Sequence, residues 1–136
     1  MAKTDRTAPC SITEARVRLR AANAYLESAD LVHDEERAEF LSVATGLAVL
    51  AGIAASDSIC CARLHRRHRG DDHRGAAELL AQATPDGTAL SNKLLRLLDV
   101  KDEAHYGVIL VSARKARDAF KWASQLVKRA GEEVQR

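Results

Sequence analysis

Aromatic side chains are scarce in this sequence, at 4% of its 136 residues, and proline occurs only at Pro9 and Pro85. The 46% apolar share comes mainly from Ala and Leu, which lose little rotamer freedom in a helix, so the composition points to an all-α fold. A strong excess of either charge is also missing: the formal net charge is +2, too mild for general coating of nucleic acid. Any basic function must come from local clustering. No unbroken apolar run reaches the roughly 18 to 20 residues that cross a bilayer. The most apolar stretch, Leu41 to Ser56, is interrupted by Ser42, Thr45, Gly46 and Gly52 and reads as a buried core helix without a membrane partner.

Cysteine is limited to Cys10, Cys60 and Cys61. The vicinal pair is a poor candidate for a bridge between its own members. An odd count suits a reducing compartment better than a disulfide scaffold, so a cytoplasmic protein is expected. CxxC and HExxH are both lacking. The opening MAKTDRTAPC has no apolar core of signal-peptide length, so residues 1–10 are expected to be a flexible N-terminus before a single domain over 11–136. A chain of this length buries roughly two thirds of its unfolded surface, enough for one modest core.

What is present is helical periodicity. Ser11-Ile12-Thr13-Glu14 has the form of a capping box, and Ile12, Ala15, Leu19, Ala22, Leu26, Ala29 and His33 then recur at spacings of three and four. Arg16, Arg18, Arg20 and Glu27 fall on the opposite face. After the acidic step Asp34-Glu35-Glu36, a second helix is expected from about Glu36 to Arg67. It is apolar or small on nearly every side and must therefore be surrounded. Gly70 is the expected stop, Asp71 or Asp72 the next N-cap, and Pro85-Asp86-Gly87 the end of a third helix carrying Ala76, Leu79, Leu80 and Ala83. A short helix over Ala89 to Leu98, a break near Val100, a further turn over Lys101 to Tyr106 and a last helix capped by Ser112 complete an up-and-down four-helix bundle with an extra short helical segment.

The chemistry-bearing residues crowd into CCARLHRRHRGDDHR, Cys60 to Arg74. Arg63, Arg66, Arg67 and Arg69 suit the negative end of a helix, where cations complement the dipole. The same residues, with His73 and Arg74, form a candidate nucleic-acid-binding rim. Cys61, His65 and His68 follow i, i+4, i+7 spacing, with Asp72 or His73 as a conceivable fourth ligand. Without a recognised metal motif, neither a metal nor a cofactor is assigned. Asp57, inside an apolar helix, needs a partner when buried, and an Arg from another helix is the obvious one.

The order and pattern of AGIAASDSICCARL, HRRHRGDDHRGAAELL, LLRLLDVKDEAHYG and SARKARDAFKWASQLV resemble the HEPN-domain proteins of prokaryotes, over about residues 12 to 130. The resemblance implies a four-helix bundle, usually dimeric, often with a nucleotidyltransferase-like partner in toxin-antitoxin or defence systems. Many members are metal-independent endoribonucleases, and others bind RNA or nucleotide without catalysis. Catalytic members carry Arg, four to six residues, then His and often Tyr. His moves a proton as the 2′-hydroxyl attacks the phosphodiester, and Arg steadies the phosphate.

Two places match that pattern in part. Lys101-Asp102-Glu103-Ala104-His105-Tyr106 has the His and the Tyr, with Lys101 and His105 on one helical face, but Lys replaces Arg and offers a point charge instead of a fork. Arg63 to His68 matches literally. In a continuing helix, however, residues five apart diverge by roughly 140°. Two functions follow as expectations: a HEPN-like protein that binds RNA or nucleotide, with catalytic candidates His105, Lys101, Tyr106, Arg63 and His68, or a non-catalytic helical module that assembles with a partner protein.

Overall fold

The computed structural model describes residues 6–107 and 110–135, with only the main chain of Tyr106. The described chain is an all-α helical bundle with one very small antiparallel ribbon. In order it forms β1 (Thr7–Pro9), α1 (Ile12–Val32), α2 (Ala38–Leu64), β2 (Arg66–His68), α3 (His73–Ala83), α4 (Gly87–Tyr106) and α5 (Ala113–Val134).

Local chemistry sets several of the helix ends. Ser11 accepts from the Glu14 amide at 3.1 Å, and its own amide donates to Glu14 Oε1 at 2.9 Å, which completes the expected capping box of α1. Asp72 caps α3 through the Arg74 amide, Ser112 caps α5 through the Lys115 amide, and Gly107 follows the last residue of α4.

The centre of the bundle is α2, with sixteen of its 27 residues buried. By length and composition alone it could cross a membrane, but more than half of its most apolar stretch is enclosed by the other helices. Antiparallel α1 joins it through the Ser58 hydroxyl, which donates to the Ala15 carbonyl at 2.7 Å. On another side, Gly52 lets Leu97 of α4 press against the α2 backbone. Running parallel to α2, α5 contributes Ala119, Ala123, Leu126, Val127 and Ala130 to the same core. Leu80, Leu94, Leu97 and Leu126 are fully buried, each contributing roughly 1.5 to 3 kcal/mol relative to exposure. The short helix α3 pairs with α4, and the Ser91 hydroxyl donates to the Ala77 carbonyl across that hairpin at 2.8 Å.

Several expectations are corrected. The break near Val100 is absent: α4 runs unbroken over 20 residues. Leu94 and Leu97 are fully buried and Val100 packs on the same core, and that burial outweighs the small helix penalty of one β-branched residue. The short element of the bundle is instead α3. At its C-terminal end, α2 stops at Leu64 and not at Arg67, because His65 takes a left-handed conformation (φ 58°) and turns the chain into β2. Residues 7–9, expected in a flexible N-terminus, form β1 and pair Thr7 with His68, Ala8 with Arg67 and Pro9 with Arg66. Finally, Cys10 and Cys61 are disulfide-bonded, leaving only Cys60 free. The odd count hid a bridge between one member of the vicinal pair and a cysteine 51 residues away.

The turn from α3 to α4 has no room for a side chain at Gly87, whose added Cβ would strike the Ala81 carbonyl. Gly87→Ala should therefore cost about 1 to 3 kcal/mol, since a backbone carbonyl cannot rotate aside. At Gly131 in α5 such a Cβ would meet no described atom within 4 Å beyond its chain neighbours and its own turn of helix, so Gly131→Ala should stabilise by up to about 1 kcal/mol. Urea unfolding of both variants checks the pair; equal midpoints would refute the packing described for the turn.

Candidate functional site: the arginine-rich end of the bundle

The helical break at His65 rearranges the basic segment. In a continuous helix Arg63 and His68 would project in different directions; in the fold they are separated by a change of element. Arg63 pairs with the buried Glu133 of α5, Nε to Oε1 at 3.5 Å. His68 is buried in the ribbon, with its ring against the first turn of α3, where a Cβ on Gly75 would stand 2.5 Å from its Cε1. Its Nε2 has no hydrogen-bond partner among the described residues. A side chain at position 75 would therefore displace the imidazole laid over it.

Beside the ribbon lies a half-buried carboxylate. Asp57 of α2 receives Arg18 of α1, from Nε at 3.2 Å and from Nη2 at 3.1 Å. The expected interhelical arginine is therefore Arg18. Burial lifts the Asp57 carboxyl above the ordinary aspartate value, while the charges of Arg18, Arg67 and His73 restrain the rise. Arg67 also acts on Glu14, whose pKa is held low chiefly by the Ser11 amide and hydroxyl. Arg67 is half-buried, and its Nη1 donates to the His68 carbonyl at 3.4 Å.

His73, at the first position of α3, is half-buried. Its pKa is depressed, first by burial and then by Lys101; Asp57 opposes this and His68 adds to it. Lys101 of α4 thus belongs electrostatically to the Asp57 and His73 group. His105 does not join that group: it is exposed and lies over Gly46, where an added Cβ would be 3.0 Å from its Nε2. Arg63 is seventeen residues further along the same α2, about 25 Å at helical rise. Arg63 and His105 are therefore apart within one chain, whereas Lys101 and His68, one from each partial match to the Arg and His pattern, both act on His73; the side chain of Tyr106 lies outside the described residues.

The outward-facing cations are Arg63, Arg66, Arg69 and Arg74, all exposed. Arg74 pairs with Asp99 at 3.1 Å, with both side chains 64% exposed. Such a pair contributes little to stability and exchanges readily with another anion. No group of three or more His, Cys, Asp or Glu able to hold a metal occurs among the described residues, and Cys61 of the conceivable ligand set is occupied by its disulfide.

The site residues that sequence reasoning missed are Arg18 by number, Arg67 as a half-buried group whose charge acts on Asp57, and the ribbon itself. One signal was available: the residue before proline favours extended backbone, which suits Ala8 in a strand ending at Pro9. No protein-family model matches this chain, and no curated protein does either.

The convergence on His73 is open to measurement by imidazole NMR. Its folded pKa lies below the ordinary histidine value, so it takes up a proton on unfolding, and its effect is to lower stability as pH falls between those two values. Lys101→Ala should raise the His73 pKa and Asp57→Asn should lower it further. Shifts absent or opposite in sign would show that the three groups are not neighbours.

Proposed function

We propose that the chain is a HEPN-like helical bundle that binds single-stranded RNA through its arginine-rich end, as a binding module and not as a ribonuclease built within one chain. The observation that carries this reading is the concentration of exposed guanidinium groups at Arg63, Arg66, Arg69 and Arg74 around a small ribbon and two helix ends. Every cationic side chain from Cys60 to Gly75 is Arg or His and none is Lys. Guanidinium forks suit phosphate oxygens in a bidentate manner, whereas ammonium groups supply only point charge. The half-buried Arg67 and His73 add positive charge beside this surface, where both lower the pKa of Asp57 against the effect of its burial. The distance between Arg63 and His105 argues against a single-chain cleavage centre, because a general base and a phosphate clamp must reach the same group.

Fluorescence anisotropy with a labelled oligouridylate tests the reading. Affinity should fall with salt, and Arg66→Ala with Arg69→Ala should weaken binding about ten-fold and flatten the log–log salt slope by about 0.7 for each phosphate left unneutralised. Lys128→Ala, on the exposed side of α5, should leave both unchanged. The RNA should remain intact in EDTA. Cleavage abolished by His105→Ala would restore a catalytic role, and affinity indifferent to the double arginine substitution would remove this surface as the RNA site.

A further inference from the structure

The ribbon that presents these arginines is too small to support itself. Three residues pair on each strand, and an isolated two-stranded ribbon is at best marginal in water. Two main-chain bonds extend it: the Cys10 amide donates to the His65 carbonyl at 2.9 Å, and the Arg69 amide to the Arg6 carbonyl at 2.7 Å. Side-chain burial adds little to holding residues 6–10. Arg6 and Pro9 are exposed, Thr7 and Ala8 are half-buried, and only Cys10 is buried. Cys10 packs with Cys61, Ala15 and Val134 in a cluster separate from the main core. The Cys10–Cys61 bond is the covalent attachment of this segment to α2.

We propose that the Cys10–Cys61 disulfide is a redox latch, whose reduction by a dithiol releases residues 6–10 from β2 and loosens the arginine-rich end. In the reaction one reductant sulfur attacks the bridge and forms a mixed disulfide, which the second reductant sulfur then resolves. Two electrons and two protons pass to Cys10 and Cys61, which become thiols, and the reductant leaves as its own disulfide. Cys60 adjoins Cys61 without competing for the bridge, because burial first, and Asp57 second, push its thiol up to about 12. At neutral pH it supplies almost no thiolate to attack. Reduction leaves β2 without its partner strand, so Arg66 and Arg69 lose their fixed backbone. This last consequence rests on the RNA reading given above; release of the segment does not.

The test compares the full chain, oxidised and after dithiothreitol, by NMR amide exchange, with thiol alkylation confirming reduction. Cys10→Ser serves as a second reduced-like form and Cys60→Ser as a control that keeps the latch. The amides of Cys10 and Arg69 should lose protection while those of α2, α4 and α5 keep it, and oligouridylate binding should weaken about ten-fold as the ordering of the arginines is lost. Protection retained at Cys10 and Arg69 after confirmed reduction overturns the latch. Protection lost throughout the bundle also overturns it, since the bridge would then be a requirement of the whole fold. Lost local protection with unchanged affinity overturns the coupling to RNA. If neither form binds RNA the functional reading falls, and amide exchange alone decides the latch.

Discussion

An α-helix with no polar face has to be wrapped on every side, and α2 imposes that demand on the rest of the chain. Its burial depends on small residues. Gly52 admits Leu97 of α4 and lies near Leu126 of α5, and Ala48, Ala51, Ala54 and Ala55 are fully or almost fully buried. Elsewhere α2 brings its own bulk in the buried Leu41, Val49, Ile53 and Ile59, and leucines of its neighbours add to the main core. The small residues let the helices approach closely, and Leu80, Leu94, Leu97 and Leu126 of the surrounding helices pack into the same core as Val49 and Ile59 of α2.

Where α2 ends, the requirement reverses. The apolar run gives way to arginine and histidine, and the left-handed His65 marks the change. Beyond it the chain turns into a strand instead of projecting as a charged helix into solvent. That strand finds a partner in residues 7–9, and a sulfur bridge anchors the partner to the last turns of α2. Of the four arginines in the segment 63–69, Arg67 is half-buried and its charge acts on Glu14 and Asp57, while Arg63 pairs with Glu133 and still stands exposed. Arg66 and Arg69 are the clearest outward-facing pair. A basic cluster counted in sequence is thus divided by the fold into internal counter-charges and an external surface.

Much of this architecture was readable beforehand, for identifiable reasons. Caps are local, so Ser11 with Glu14, Asp72, Ser112 and Gly107 all fall where their chemistry places them. Amphipathic spacing is local too, which made the start of α1, the course of α3 and α5 and the buried character of α2 legible. The need of Asp57 for an arginine followed from desolvation alone. Less legible were features in which distant segments override local preference: the continuity of α4 through Val100, the early end of α2, and the strand at residues 7–9. The candidate site was the least legible part, because proximity of Lys101 to His73, and separation of Arg63 from His105, depend on how α3 and α4 lie on α2.

The sequence by itself determined that the chain is helical, that α2 is its buried axis, and that cationic chemistry is concentrated between Cys60 and Arg74, since propensity, periodicity and charge are properties of neighbouring residues. Only the tertiary structure decided which cysteine meets Cys10, which arginine meets Asp57, and which guanidinium groups remain outward. Those outcomes depend on residues tens of positions apart, brought together by helix packing and by the backbone reversal at His65.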